Sequence, residues 1–329
     1  MDAPPLRWGI IGAGNIARKF TDAVTRFTRS DVVAIASRSA ERSRAFASAH
    51  SVPHAFDGYE RMVASPSVEA VYVATPHALH CDAALLAIDA GKPVLVEKPF
   101  AHTLRHAEHI VAASRQRRVF AMEAMWTKFL PHMVRLRRTL AEGHIGEIVQ
   151  VSADLAHRFP FDPAHRIYDL ALAGGGLLDL GVYPISFIHD VLGPPVAVSA
   201  SGSLASTGVD SQAAVLMTHV GGAQSTAFTS TRGISAQRAS IVGTAGRIDV
   251  SGPFWRPSSF TITREDGTVS RFSQEIQNGF EFEVAECARN ISAGAPESHA
   301  HSLKDTLSVI RTLDEIRRQI GVVYDANDA

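Results

Sequence analysis

An apolar strand that runs into Gly12-Ala13-Gly14-Asn15-Ile16-Ala17, and then straight into helical period, constrains this chain more than any other feature. Gly12 permits a tight strand-to-helix turn, and Gly14 lets the backbone approach a pyrophosphate. Ala17 keeps the helix close to the sheet, and the helix N-terminus faces the anion. The motif follows a strand-like run (LRWGII) and opens a helix-like one (NIARKFTDAVTRF), the context a dinucleotide fingerprint requires. The pattern then repeats: the apolar runs VVAIASRS, VEAVYVATP, PVLVEKP and VFAMEAM alternate with the helix-like AERSRAFASAH, CDAALLAIDAG and LRHAEHIVAASRQ. Strands alternating with helices of this length predict βαβ units and a parallel sheet covered on both faces.

The end of the second strand bears on cofactor choice. An Asp or Glu there accepts from ribose hydroxyls and repels a 2′-phosphate. This chain has Ser37-Arg38-Ser39, with Arg42 one turn on, and a hydroxyl with guanidinium groups suits a phosphate dianion. NADP is therefore expected over NAD, with NAD still possible. PVLVEKPF places Lys98 at the carboxyl end of a strand, along the crevice where ligands bind in open α/β sheets. Glu97 is positioned to orient or neutralise it. Thr75, Pro76, His77 and His80 follow the preceding strand toward the same crevice. By itself Lys98 reads more readily as a surface lysine than as a site residue.

From about residue 148 the character changes. IVQVSADLA, VAVSASGSL, SQAAVLMTHV, AQSTAFTSTR, QRASIVGT, GRIDVSG, FTITRED and TVSRFSQE are β-rich and roughly alternating, and turn signals such as Asp266-Gly267 separate several of them. Two helices, FEFEVAECARNISAG and LKDTLSVIRTLDEIRRQIG, close the chain. Between the first two of these runs lies GGGLLDLGVYPI (174–185). If a helix starts after the glycines, Asp179 and Tyr183, four residues apart, share a face. Alone, the run is as consistent with packing as with chemistry.

In order along the chain, GAGNIA, ASR, ATPHALH, EKP, EAMW and GGGLLDLGVYP resemble the Gfo/Idh/MocA family of NAD(P)-dependent oxidoreductases. MEAMWTKFLP and GGGLLDLGVYP resemble most closely the branch of dimeric dihydrodiol dehydrogenases and NADP-dependent D-xylose dehydrogenases. The resemblance implies an α/β Rossmann domain over 1–123. It implies an α+β substrate-binding and dimerisation domain over 124–329, with a large, mostly antiparallel open sheet. A homodimer through that sheet, or a higher oligomer, is expected. By resemblance Lys98, Asp179 and Tyr183 match the catalytic positions, with Tyr183 as general acid/base and the Lys98 charge favouring its phenolate. Trp126, Trp255 and Phe280 match aromatic substrate positions. Arg166 is expected to bind substrate or cofactor, or to form a surface salt bridge. The implied reaction moves a hydride between nicotinamide and a carbinol or carbonyl carbon of a sugar, cyclic polyol or trans-dihydrodiol, with no metal. The competing reading is a non-catalytic NAD(P)-binding regulator on the same fold.

Composition narrows the partners. Hydrophobic content of 46%, charged content of 20% and a formal net charge of −1 give no electrostatic reason to expect nucleic acid or an anionic membrane. The basic clusters RQRR (115–118) and RLRR (135–138), and the helically spaced His102, His106 and His109, read as solvated helix faces. Cys81 and Cys287 are far apart without CxxC spacing, which fits a reducing compartment. The N-terminus does not read as a signal peptide, and no apolar stretch of about 20 residues is expected to span a bilayer. A cytoplasmic enzyme is expected.

Overall fold

The computed structural model describes residues 2–324. Its first half runs β1 (Arg7–Ile11), α1 (Asn15–Phe27), β2 (Asp31–Ser37), α2 (Ala40–His50), β3 (His54–Asp57), α3 (Tyr59–Val63), β4 (Ala70–Val73), α4 (His80–Asp89), β5 (Val94–Glu97), α5 (Leu104–Arg117) and β6 (Ala121–Ala124). The six strands pair in parallel in the order β3-β2-β1-β4-β5-β6. β4, β5 and β6 are buried at every residue, as a sheet covered on both faces demands. Phe20 of α1 ties the helix to this sheet by stacking on Tyr72 of β4 at 3.8 Å and meeting Trp8 of β1 edge-on at 5.3 Å. The strand order reverses between β1 and β4, so their carboxyl ends form the crevice in which such sheets take ligands.

The second half runs α6 (Pro131–Ala141), β7 (Ile148–Ala156), a π-helical turn (Leu177–Gly181) leading into α7 (Val182–Leu192), β8 (Pro195–Leu204), β9 (Asp210–His219), β10 (Gln224–Ser230), β11 (Ala239–Gly243), β12 (Gly246–Val250), β13 (Ser259–Arg264), β14 (Val269–Ser273), α8 (Glu281–Ser292) and α9 (Leu303–Ile320). The eight strands order as β14-β13-β12-β11-β7-β10-β9-β8, antiparallel except for β7 against β10. α7 and its π-helical turn pack against β7 and β10. The opposite face follows the period of two: Ala213, Val215 and Met217 of β9 are buried, while Leu216 is 47% exposed.

The packing divides the chain into two units. One comprises the residues up to Trp126 together with Asn278–Leu307; the other comprises Thr127–Gln277 and the residues from Ser308 on. A single cut after residue 123 does not describe this, because α8 returns to the first unit. There it packs on α1, and the buried Glu123 carboxylate gathers the Phe100 amide at 3.0 Å, His301 Nε2 at 3.0 Å and the Thr306 hydroxyl at 3.1 Å.

Leu170–Leu192 does have the length and mean hydropathy (1.4) of a membrane span, contrary to expectation, but 89% of its most apolar window is buried inside the protein. RLRR also departs from a solvated face, since Arg137 binds Asp190 at 2.7 Å. His102 is buried too, its ring stacked on His106 at 4.4 Å.

Candidate active site

In the first unit, the turn after β1 is built for close approach. Gly12 has φ of +103°, and a Cβ there would lie 2.6 Å from the Ala74 carbonyl oxygen. A Cβ on Gly14 would meet nothing within 4 Å, and Gly14 caps α1 without any side-chain bond to the helix amides. No acid sits in the first turn. The positive end of α1 is thus left for an anion. Asn15 is exposed and accepts from Arg18 at 3.1 Å, and Ile16 is half-buried beside it. Thr75 supplies a buried hydroxyl with no hydrogen-bond partner among the described residues. An open glycine cradle, uncapped amides and an orphaned hydroxyl together fit a dinucleotide.

At the end of β2, Arg38 and Arg42 are exposed, and Arg42 reaches back to the Ala13 carbonyl at 3.3 Å. Tyr59 lies near both: burial raises its pKa, while the two guanidinium charges oppose that rise. Ser37 is buried, and its hydroxyl folds the local turn, donating to Ser39 O at 2.7 Å and accepting from Ser39 N at 3.1 Å. The two arginines, rather than Ser37, therefore carry the charge complementarity.

Glu97, at the end of β5, is buried. It accepts from the Tyr72 hydroxyl and from the Lys98 amide, the latter at 3.1 Å. Lys98 itself is half-buried. His80 braces the two neighbouring loops: its ring nitrogens lie 2.8 Å from Pro99 O and 2.9 Å from Thr75 O. Two carbonyl partners favour an imidazolium, but complete burial dominates and lowers the pKa to about 4. The ring thus sits between the loop carrying Thr75, Pro76 and His77 and the turn carrying Lys98 and Pro99, and when neutral it donates to one of the two carbonyls. His77 is buried and packs edge-on to His80 at 5.7 Å. Trp126 and Phe280 stack in parallel with ring centroids 4.4 Å apart. That pairing needs the return of residues 278–307 to the first unit.

In the second unit, the glycine run feeds the π-helical turn that holds Asp179, and Tyr183 follows in the first turn of α7. The helix therefore starts wider than a plain α-helix, as recurs at functional sites. Both residues are 7% exposed. Arg166 reaches the Asp179 carboxylate at 3.2 Å, so the pair joins a half-exposed guanidinium to a buried acid. Tyr183 packs against Trp255 with ring centroids 5.0 Å apart. The Trp255 indole donates to Gln237 at 3.2 Å, and Arg256 lies 4.5 Å over its ring. Near the far end of α7, Asp190 is clamped by Lys128 at 3.2 Å and Arg137, whose charges hold its pKa below the usual value against the effect of burial.

The sequence profile of an oxidoreductase family with an NAD-binding Rossmann fold matches residues 6–125, and that of the GFO/IDH/MocA C-terminal domain matches residues 133–249. Trans-1,2-dihydrobenzene-1,2-diol dehydrogenases are 34% identical in both Bos taurus and Homo sapiens, covering 97% of this chain and 98% of theirs. The chain belongs to the Gfo/Idh/MocA family of oxidoreductases. It is an NAD(P)-dependent dehydrogenase or reductase acting on CH–OH groups. Among solved structures, a 3-ketoreductase from Actinomadura kijaniata in complex with NADP and TDP-benzene is 27% identical. It covers 96% of this chain and 98% of its own, with a TM-score of 0.87. An aldose-aldose oxidoreductase from Caulobacter crescentus shares the fold, with a TM-score of 0.88 at 23% identity over 96% of this chain and 97% of its own.

Three features of the site carry no sequence signal. Tyr59 opens the short helix α3 just after Gly58, and Gln237 orients Trp255 from a left-handed backbone at φ +53°. Asp210 opens β9, 33 residues after Leu177, and reaches that residue only in the folded chain.

Proposed function

We propose that the protein is an NADP-dependent oxidoreductase acting on a sugar, a cyclic polyol or a trans-dihydrodiol, with Tyr183 as the general acid/base. NADP, when bound, supplies the hydride acceptor at C4 of nicotinamide for the substrate carbinol carbon. Tyr183 takes the proton from the substrate hydroxyl during oxidation and returns it during reduction. Lys98 contributes the ammonium that favours the tyrosinate. Asp179, oriented by Arg166, orders the substrate hydroxyls, and Trp126, Trp255 and Phe280 provide apolar faces for a ring. Gly12, Gly14, Asn15, Ile16, Thr75, Pro76 and His77 hold the dinucleotide, with Glu97 and His80 bracing that surface. Arg38 and Arg42 take the 2′-phosphate.

The observation that carries this reading is the ordered Asp179–Tyr183 turn, with its Arg166 and Trp255 partners, in a chain that also keeps the EKP lysine. A non-catalytic regulator has no use for both groups. A homodimer through the open face of the eight-stranded sheet belongs to the same reading, supported by Leu216 and Phe228, which are 47% and 39% exposed there. So does a reducing, cytoplasmic setting, supported by the two unbonded cysteines.

The test is turnover of NADP with D-xylose, D-glucose and a trans-dihydrodiol, beside a Tyr183→Phe control. Activity with at least one, abolished in the variant, is expected. Tight NADP binding with no turnover of any would move the assignment to a regulator.

A further inference from the structure

The glycine run is a bed for a buried acid. Asp210 is 0% exposed, and its Oδ2 accepts from the Leu177 amide at 2.7 Å, at the first residue of the π-helical turn. Gly174 and Gly175 are required by their surroundings, and Gly176 is tightly enclosed. A Cβ on Gly174 would lie 2.6 Å from Arg166 O, and one on Gly175 would lie 2.2 Å from Asp210 Oδ1. A Cβ on Gly176 would lie 3.2 Å from Asp210 Oδ2 and from the Thr231 methyl. Gly175 also holds φ at +110°. The run thus makes room for a carboxylate against the positive end of a helix. The other side of the turn is pinned as well, where the Thr229 hydroxyl donates to Gly176 O at 3.2 Å.

We propose that Asp210 is a positioning residue of the reaction, fixing the start of the helix so that Asp179 and Tyr183 are held in working geometry. This rests on the assignment of Tyr183 as acid/base. Asp179 comes two positions after Leu177 and Tyr183 six positions after it, so a slip of the first turn moves both. The segment that follows Arg166 is tied to the same bed, since Gly174 N and Gly175 N donate to Asp169 O at 3.0 Å and Ile167 O at 2.8 Å. A fully buried acid is a costly cap compared with a neutral one. Burial lifts Asp210 to about 7 although the Leu177 and Gly176 amides favour its anion. Its Oδ1 has no hydrogen-bond partner among the described residues.

The experiment compares Asp210→Ala and Asp210→Asn with the wild-type protein, reading kcat, KM, NADP affinity and hydrogen exchange of the Leu177 amide. The alanine variant removes the acceptor. Its kcat is expected to fall roughly 10- to 100-fold, the scale of a small misplacement of catalytic groups, with NADP affinity unchanged. Asparagine keeps an acceptor oxygen and is expected to restore most of kcat and the protection of Leu177. An alanine variant with wild-type kcat would overturn the proposal, as would an asparagine variant that falls equally far while Leu177 stays protected. If the alanine variant does not fold, wild-type exchange still decides: a Leu177 amide exchanging like an exposed loop amide sinks the idea. Failure of the underlying reading looks different, because then the wild-type protein itself does not turn over.

Discussion

Two helices in this protein begin at glycine-rich turns, and they use the positive end of the helix in opposite ways. α1 starts at Gly14 with open space beside it, no side-chain cap and no acid in its first turn. The helix that carries Asp179 and Tyr183 starts at Gly176–Leu177, and its amide is taken by the Asp210 carboxylate at 2.7 Å. At Gly175 glycine is needed for want of room, because the Asp210 carboxylate already fills the space, whereas at Gly14 the space stands open. An uncapped helix end waits for a ligand anion, whereas a capped one holds its own side chains still.

The contrast breaks most easily at the glycines. Gly175→Ala forces a side chain into a φ +110° position 2.2 Å from a carboxylate oxygen. It should cost about 2–3 kcal/mol and lower the thermal midpoint. Gly14→Ala should leave that midpoint in place and weaken NADP binding about tenfold, or ~1.4 kcal/mol. If both variants instead lose stability equally, the distinction between a reserved and an occupied helix end is wrong.

A smaller effect sharpens the ligand side. Arg42→Ala and Arg38→Ala should each reduce NADP affinity by about 1.5 kcal/mol, the low end for a charge-assisted bond, while NAD affinity changes little. Equal losses for the two cofactors would show that these arginines do not read the 2′-phosphate.

The smallest effect concerns buried acids. Asp210 has amide donors, but Glu283 of α8 is fully buried with neither carboxylate oxygen paired among the described residues. Burial first, and then the neighbouring Glu97 and Glu123 charges, raise its pKa well above the usual value. A raised folded-state pKa means its contribution is fully present at acid pH and lost as pH climbs through that raised value. Glu283→Gln should therefore be neutral near pH 4 and stabilising by about 1 kcal/mol at alkaline pH, read from urea midpoints across pH. A variant less stable at every pH would show that the acid has a partner.

The first unit was largely legible in the sequence because its signals are local. A strand, two glycines and a helix follow one another within residues 7–27, and the alternation repeats through β6. The eight-strand sheet was legible as strands, from their period of two, but not in its order. That order sets β7 beside β10 and β11 rather than beside a sequence neighbour. The site was legible as residue types in motifs. Its supports were not, because they come from afar: Asp210 under Leu177, Gln237 on Trp255, and His301 on Glu123 across 178 positions. Buried polar partners of this kind leave no period and no spacing to read. The RLRR cluster shows the reverse limit, where a charge pattern typical of a solvated face conceals the buried Asp190 that Arg137 neutralises.

The most direct test of the central claim follows nicotinamide absorbance during turnover of the wild-type protein and Tyr183→Phe, with NADP and the sugar and dihydrodiol panel. The account predicts hydride transfer by the wild-type protein with at least one of these substrates. It predicts a loss of at least about a hundredfold in kcat for the variant, the scale of a missing general acid/base, with NADP affinity intact. Full activity in Tyr183→Phe would contradict it.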